Sequence, residues 1–396
     1  MNKTLAGLRI LDLTHMLSGP YGGMILADLG AETIKIEPLH GEGTRKLLAT
    51  DPNNSLEGMG AYYLTLNRNK KSVCIDLKSD AGLALFYDLV KESDVVISNF
   101  GAGVPEKLSI DFDSLAKVNP KIITCTVNGF GSDGPAFKRP AFDQVAQAMG
   151  GGMSITGIDS DNPTRAGIPI GDLGGGMFGV MGILAALFER ERSGMGQHVD
   201  ISMLDCQISM LNYMATMFFL SGDNPHPIGN SHFVHVPYNT FTCSDGFIVI
   251  AVITDNFWQN LKTLVNCPDF DDSKYDGQPG RWEDRDMINA RLNDILSKNT
   301  CAFWLEQLER ERIPCAPVNN FSQALSDEQV LHRNMVIDLK HPSGASTKGP
   351  GNPIKLSRSG SEEFSAAPLL GEHTSEVLTQ LLGMPEDAIE SLKQSG

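Results

Sequence analysis

Residues 8–37, LRILDLTHMLSGPYGGMILADLGAETIKIE, decide the fold. LRILDLT (Leu8 to Thr14) is a β-type run, SGPYGG is a turn, a helix follows from Tyr21 to Leu29, Gly30 stops it, and AETIKIE (Ala31 to Glu37) is a second strand. Strand, helix and strand in about thirty residues make a βαβ unit with a right-handed crossover. The alternation continues outward through the strand KSVCIDL (Lys71 to Leu77), the helix AGLALFYDLVKESD, the strand VVISNF (Val95 to Phe100), a helical segment over Ile110 to Val118 and the strand KIITCTVNGFG (Lys121 to Gly131). Such a pattern predicts an open, mainly parallel, Rossmann-like α/β sheet. Ligands of these sheets bind outside the carboxyl ends of the strands, which here feed SGPYGG, Asn99-Phe100-Gly101 and Asn128-Gly129-Phe130-Gly131. SGPYGG is not GxGxxG and no acid is placed to read a ribose, so nicotinamide binding is disfavoured.

The chain has 396 residues, which predicts two domains. Its 32 Lys and Arg against 48 Asp and Glu leave a formal charge of −16, which argues against nucleic acid and anionic membranes. A polyanionic ligand therefore needs a local basic cluster, and LNRNKKS (Leu66 to Ser72) is the densest, with Arg68, Lys70 and Lys71 suited to phosphate oxygens through charge-assisted hydrogen bonds. The seven cysteines are scattered without CxxC or metal-ligand spacing, so neither a disulfide framework nor a metal site is expected, and a reducing, cytoplasmic setting fits. The opening MNKTLAGLRILDLTHML lacks the features of a secretory signal, and no run approaches the roughly 18 apolar residues of a membrane span.

The most pointed chemistry lies in RAGIPIGDLGGGMFGVMGILAALFERERSGMGQ (Arg165 to Gln197). Met177 to Arg192 read as an apolar helix, which puts Asp172 at or just before its N-terminus, where an acid caps free N–H groups and gains about 0.3–1 kcal/mol from the helix dipole. Capping alone explains the Asp. It does not explain Gly174, Gly175 and Gly176, each about 1 kcal/mol worse than Ala in a helix, which ask for a close approach to the backbone beside the carboxylate. Beyond them a strand and a long Met-rich apolar helix follow, core or subunit interface by its spacing. Composition then shifts at SGDNPHPIGNSHFVHVPY (Ser221 to Tyr238), the expected domain boundary. TFTCSDGFIVIAV is a hairpin, three helical segments run to Ile313-Pro314, MVIDLKHPSGASTKGPGNPIKLS is a second β-rich patch, and PLLGEHTSEVLTQLLG is a closing helix.

The stretches LDLTHMLSGP, DLGAETIKIEP, YYLTLNRNKKS, SNFGAG, NGFGSDGP, AFDQVAQA, GDLGGG, SGMGQHVDISMLD, VPYNTFTCSDGF and PLLGEHTSEVL, in this order, give the chain its likeness to known proteins. It resembles the family III CoA-transferases, the CaiB/BaiF family that includes formyl-CoA transferase, and its NSHFVHVPY is closer to the succinyl-CoA:dicarboxylate branch. The resemblance implies a ring-like subunit in an interlocked homodimer. A large CoA-binding domain would span 1–220, a small α+β domain would be inserted over 221–317, and 318–396 would complete the large domain. It also implies that Asp172 is the catalytic aspartate and that CoA contacts fall at Leu17, Ser18, Leu66, Asn67, Arg68, Asn69, Lys70, Asn99, Phe100, Gly101, Lys107 and Phe142. Lys107 stands where formyl-CoA transferase has an arginine. At Pro38 another CoA-facing arginine is missing, with Arg45 or Arg68 as substitutes, and the glycine loop that shields the active site of formyl-CoA transferase is absent.

Acyl transfer suits one carboxylate. Asp172 would attack the acyl-CoA carbonyl to give a mixed anhydride and a thiolate, which returns to form an aspartyl-CoA thioester before a second acid reverses the steps. Backbone N–H groups freed by Gly174 to Gly176 are the expected oxyanion donors, and no metal or tightly bound cofactor is needed, CoA being a thioester substrate. For a dicarboxylate acceptor such as itaconate, mesaconate, glutarate or malate, the distal carboxylate would meet His15, Arg165, His232 or His235, with Arg139 a further candidate. Two other readings are an α-methylacyl-CoA racemase, disfavoured because Phe142 stands where the racemases carry a His before the acid at Asp143, and a noncatalytic CoA-binding protein.

Overall fold

The computed structural model describes residues 3–360 and 362–395. The chain forms two compact units, one made of Met1–Met153, Arg165–Asp223 and Gln329–Gly396, the other of Ser154–Thr164 and Asn224–Glu328. The second unit thus runs past the expected return at 317, through the short helix Phe321–Ser326. It also takes in the loop 154–164, where the Gly157 carbonyl accepts from the Gly229 N–H at 3.0 Å.

In the first unit the chain runs β1 (Arg9–Asp12), α1 (Ser18–Asp28), β2 (Glu32–Glu37), β3 (Lys70–Cys74), α2 (Asp80–Lys91), β4 (Val95–Ser98), α3 (Phe112–Val118), β5 (Ile123–Asn128), α4 (Asp143–Met149), α5 (Ile170–Ser193), β6 (His198–Ser202) and α6 (Met203–Leu211). Six strands pair in the order β3-β2-β1-β4-β5-β6, all parallel. That is the doubly wound order, with its switch point between β1 and β4. Alternation along the strands builds a core on each face. Ile10, Val95, Ile97, Ile123 and Val127 pack with residues of α1 and α5, and Leu11, Ile34, Ile36, Val73 and Val96 pack with α2, α3 and the helix Thr374–Leu382.

Three local expectations change. Helix α1 starts at Ser18, earlier than Tyr21, with Leu17 at its N-cap. The Met-rich helix is broken: α6 ends at Leu211, Asn212 takes φ +50°, and α7 (Tyr213–Ser221) begins afresh, since a left-handed residue cannot continue a right-handed helix. Helix α5 begins at Ile170, well before Met177. Its 24 residues contain a window of mean hydropathy 1.6, apolar enough by composition to cross a membrane, contrary to the reading that no run approaches that length. Its buried line, including Val180, Ile183 and Leu187, instead belongs to the core formed with the sheet.

The second unit pairs β7 (Tyr238–Thr242), β8 (Phe247–Ala251) and β9 (Cys315–Pro317) in an antiparallel sheet. Helices α8 (Asp255–Val265), α9 (Arg285–Leu296) and α10 (Cys301–Arg310) supply Trp258, Leu292 and Trp304 to its core.

Candidate active site

Asp172 lies in the first turn of α5, not at its cap. The cap is Asp143, from the start of α4: its Oδ1 accepts from the N–H groups of Gly171 at 2.8 Å and Asp172 at 3.3 Å. Asp143 is itself held by Gln147, whose amide donates to Oδ2 at 2.7 Å and whose carbonyl oxygen accepts from the Ala166 N–H at 2.9 Å. With the capping task done by another carboxylate, the Asp172 side chain is left over. Among the described residues it makes no hydrogen bond and no ion pair, although it is half-buried. Burial first, and then the charge of Asp143, push its carboxyl up to about 6.

Tyr62, on the helix Ala61–Leu66, completes the cluster. Its phenol is pushed up to about 12 by burial and then by the charges of Asp172, Asp143 and Glu42, so it stays protonated and is a neutral donor within reach of their fields. Sequence reasoning missed Tyr62, Gln147 and the role of Asp143. The Tyr62-Tyr63 pair was the available signal, since Tyr63 is fully buried and its neighbour on a short helix must face elsewhere.

The glycines are explained by packing. A Cβ on Gly175 would stand 2.6 Å from the Ser18 hydroxyl, and one on Gly176 would stand 2.6 Å from the Ser18 carbonyl oxygen. Gly174, Gly175 and Gly176 lie inside α5, where their N–H groups serve the helix, so they are not free oxyanion donors as expected. Their small size instead lets α1 and α5 touch, which sets Ser18 one turn from Asp172.

Around the switch point, Asn99 Oδ1 accepts from the His15 N–H at 2.8 Å and its amide donates to the His15 carbonyl at 2.7 Å, locking the loops after β1 and β4 together. The His15 ring packs 5.2 Å from Phe100. Burial and then Lys35 lower its pKa, so it is a neutral imidazole at pH 7. Leu17 is half-buried beside it in sequence, while Gly101, Lys107 and Phe142 are exposed. Arg165 is exposed and folds onto the carbonyls of Ala166 and Gly167, with no contact to the Asp172 cluster. His232 and His235 belong to the second unit, their rings 4.8 Å apart.

The basic motif requires the largest correction. Arg68 pairs with Asp28 at 2.8 Å, Lys70 with Asp12 at 2.8 Å, and Lys71 with Glu32 and Glu376 at 2.9 and 2.8 Å. Leu66, Asn67, Arg68 and Lys70 are buried, and the Asn69 amide donates to Asp28. The charges of Arg68 and Lys70 are consumed by the fold, and Lys71, though partly exposed, is shared between two carboxylates. Arg45, the suggested substitute for the missing arginine, is held by Glu37 at 2.6 Å over the Tyr63 ring.

An acid with a raised pKa and no side-chain partner among the described residues, on a helix capped by a second acid, is suited to nucleophilic or proton-transfer chemistry on an acyl group. The profile of CoA-transferase family III matches residues 5–374. The succinyl-CoA:glutarate CoA-transferase of Mus musculus is 34% identical over 396 residues, spanning 100% of this chain and 90% of that protein. The succinyl-CoA:mesaconate CoA-transferase of Haloarcula hispanica is 35% identical over 394 residues, spanning 98% and 99%. The crystal structure of a CAIB/BAIF family protein from Brucella suis superposes with a TM-score of 0.85 at 33% identity, covering 96% of this chain and 100% of that one. With the whole length matched in sequence and in fold, this chain belongs to CoA-transferase family III and is a CoA-transferase.

Proposed function

We propose that the enzyme moves CoA from succinyl-CoA to a second dicarboxylate, of the size of glutarate, mesaconate, itaconate or malate, with Asp172 as the nucleophile. The observation that carries this reading is the half-buried Asp172 carboxylate left without a partner because Asp143 caps its helix. The named relatives act between succinyl-CoA and another dicarboxylate. Asp172 attacks the thioester carbonyl, the C–S bond breaks, and CoA leaves as thiolate from a mixed anhydride. The thiolate attacks the aspartyl carbonyl, succinate departs, and the aspartyl-CoA thioester awaits the acceptor, which takes CoA by the same two steps in reverse. Tyr62, protonated beside the nucleophile, is the donor assigned to the oxyanion in place of the glycines. Leu17, Phe100, Gly101, Lys107 and Phe142 are assigned to CoA, and His15 to the acid. The decisive experiment is CoA exchange from succinyl-CoA to a panel of mono- and dicarboxylic acids. Rates with acetate equal to those with glutarate or mesaconate would remove the dicarboxylate assignment.

The nucleophile must be ionised to attack. Activity as kcat/KM will therefore rise with pH through a limb near pH 6. Asp143→Asn keeps a capping oxygen and removes the like charge, so the limb moves down. Burial being the larger cause, it stays above the ordinary carboxylate value. A limb unmoved by this change would mean that Asp143 does not act on the nucleophile electrostatically.

A homodimer fits the exposed apolar side chains of Met181 and Phe188 on α5 and of Phe219 and Leu220 on α7, the last two more than 80% exposed at 81% and 83%. Light scattering at the mass of one chain would refute it.

A further inference from the structure

Gln147 is only 2% exposed, and both ends of its amide are committed. Its Oε1 accepts from the Ala166 N–H at 2.9 Å, which fixes the way the amide points. The end that faces Asp143 is therefore the NH2, donating to Oδ2 at 2.7 Å. Asp143 Oδ1 in turn accepts from the N–H groups of Gly171 and Asp172. These contacts form one chain, from Ala166 through Gln147 and Asp143 to Gly171 and Asp172, that fastens α4 to both ends of the segment 166–172 leading into α5. The fit is close. A Cβ on Gly171 would lie 2.9 Å from Asp143 Oδ1 and 3.1 Å from the Asp143 carbonyl oxygen, so the carboxylate reaches the helix because position 171 has no side chain.

We propose that Gln147 is a positioning residue for acyl transfer: by donating to Oδ2 it keeps both Asp143 oxygens as acceptors, holds Oδ1 on the first turn of α5, and so makes Asp143 the fixed charge and Asp172 the free one. This rests on the reading of Asp172 as the nucleophile. Two neighbouring carboxyl groups share a proton between them unless their surroundings set them apart. Here the surroundings do so, because Asp143 receives three N–H donors while, among the described residues, the Asp172 side chain receives none. The other titratable groups near α5 leave the balance to this pair. Asp143 is the charge that acts on Asp172, and Tyr62 is a neutral phenol. Where α1, α6 and β5 approach α5, at Gly176, Gly174 and Gly179, the titratable side chains are Tyr21, Cys206 and Cys125, all raised by burial first and neutral at pH 7. From β6, Val199 and Ile201 face α5, and His198 and Asp200 lie on the opposite face of the sheet.

The test exchanges donor and acceptor across the contact in the full-length enzyme. In Gln147→Glu the Ala166 N–H keeps its acceptor, but the atom facing Asp143 is an oxygen that donates only while it carries a proton. Once that proton leaves, two carboxylates repel and the cap on α5 is pushed aside. The profile of kcat/KM for succinyl-CoA will therefore fall again on the alkaline side, a bell in place of a plateau, and at pH 8 will lie at least roughly tenfold below the parent. In Asp143→Asn/Gln147→Glu the amide and the carboxylate have changed places. The new amide donates to position 147, its oxygen still caps Gly171, and the Ala166 N–H is still bound. Asp143→Asn alone sets one NH2 against another, so the double variant will exceed both single variants at pH 8, coming within roughly threefold of the parent and regaining the plateau. Urea titration of the four proteins reads the same coupling without turnover, and where Gln147→Glu does not fold, its rescue by Asp143→Asn is the supporting result. A plateau retained in Gln147→Glu, or a double variant no better than Gln147→Glu in exchange and in stability, overturns the role given to Gln147. Exchange that survives Asp172→Asn would instead refute the nucleophile, and would leave the coupling between positions 143 and 147 in stability standing.

Discussion

Asp172→Asn will abolish CoA exchange, with a loss of at least roughly a thousandfold, and will leave the protein more stable than the parent at pH 8. Both halves of this result come from one carboxylate. The amide cannot form an anhydride, so no aspartyl-CoA adduct will be found by mass spectrometry after incubation with succinyl-CoA, whereas the parent will show one. The stability gain follows from linkage. A folded-state value of about 6 for a carboxyl means that the fold favours the protonated form. That contribution is fully present below the unfolded value near 4 and is lost as pH rises through about 6. At pH 8 the ionised group opposes folding by roughly 1–2 kcal/mol, a figure already reduced for its partial exposure. Asn removes the charge, so its advantage in chemical denaturation will be seen at pH 8 and will fade below pH 5. Retained exchange in Asp172→Asn would end the nucleophile assignment. Lost exchange with no pH-dependent gain in stability would place the carboxylate in water instead of beside Asp143.

Local signals carried the alternating half of the chain. Five of the six strands lie in β-type runs closed by turns between residues 8 and 131, and the βαβ rule fixes their handedness and parallel pairing, so most of the sheet and the loops at its carboxyl edge follow from that stretch, β6 (His198–Ser202) being added from beyond it. The site was legible where it depends on one position, Asp172, and illegible where it depends on a partner. Asp143 lies 29 residues before Asp172, and nothing near it marks a cap for a distant helix. The glycines carried a true signal of close approach, but the approaching groups are Met210 of α6 at Gly174 and Ser18 of α1 at Gly175 and Gly176, so what looked like room for an oxyanion is helix packing. The same limitation produced the error over Arg68 and Lys70. Three cations in four residues look like a surface until Asp12 and Asp28, separated from Lys70 and Arg68 by 58 and 40 residues, are brought in by the fold.

That reversal of the basic motif predicts the second large effect. Lys70→Met will destabilise the enzyme by about 3–5 kcal/mol, because it strands Asp12 in the interior. Lys70 Nζ is fully buried, donates to Asp12 at 2.8 Å and to the Pro20 carbonyl at 3.0 Å, and sits under the turn that starts α1. Burial would raise the Asp12 carboxyl, but Lys70 and then Lys35 hold it below its usual value, so the acid is ionised in the fold. Lys35, whose ammonium donates to the Thr14 carbonyl at 2.8 Å, remains in the variant and sets the effect toward the lower end of that range. Adding Asp12→Asn removes the stranded charge and retains an acceptor for the Thr14 N–H, so the double variant will recover much of the loss in a urea titration. The cycle separates the two roles this motif can have. A pair that acts within the fold gives a large coupling in stability, whereas a lysine that faces the phosphates of CoA would leave stability unchanged in Lys70→Met and raise KM for succinyl-CoA. The second pattern would return the motif to the binding surface and place Asp12, not CoA, as the incidental partner.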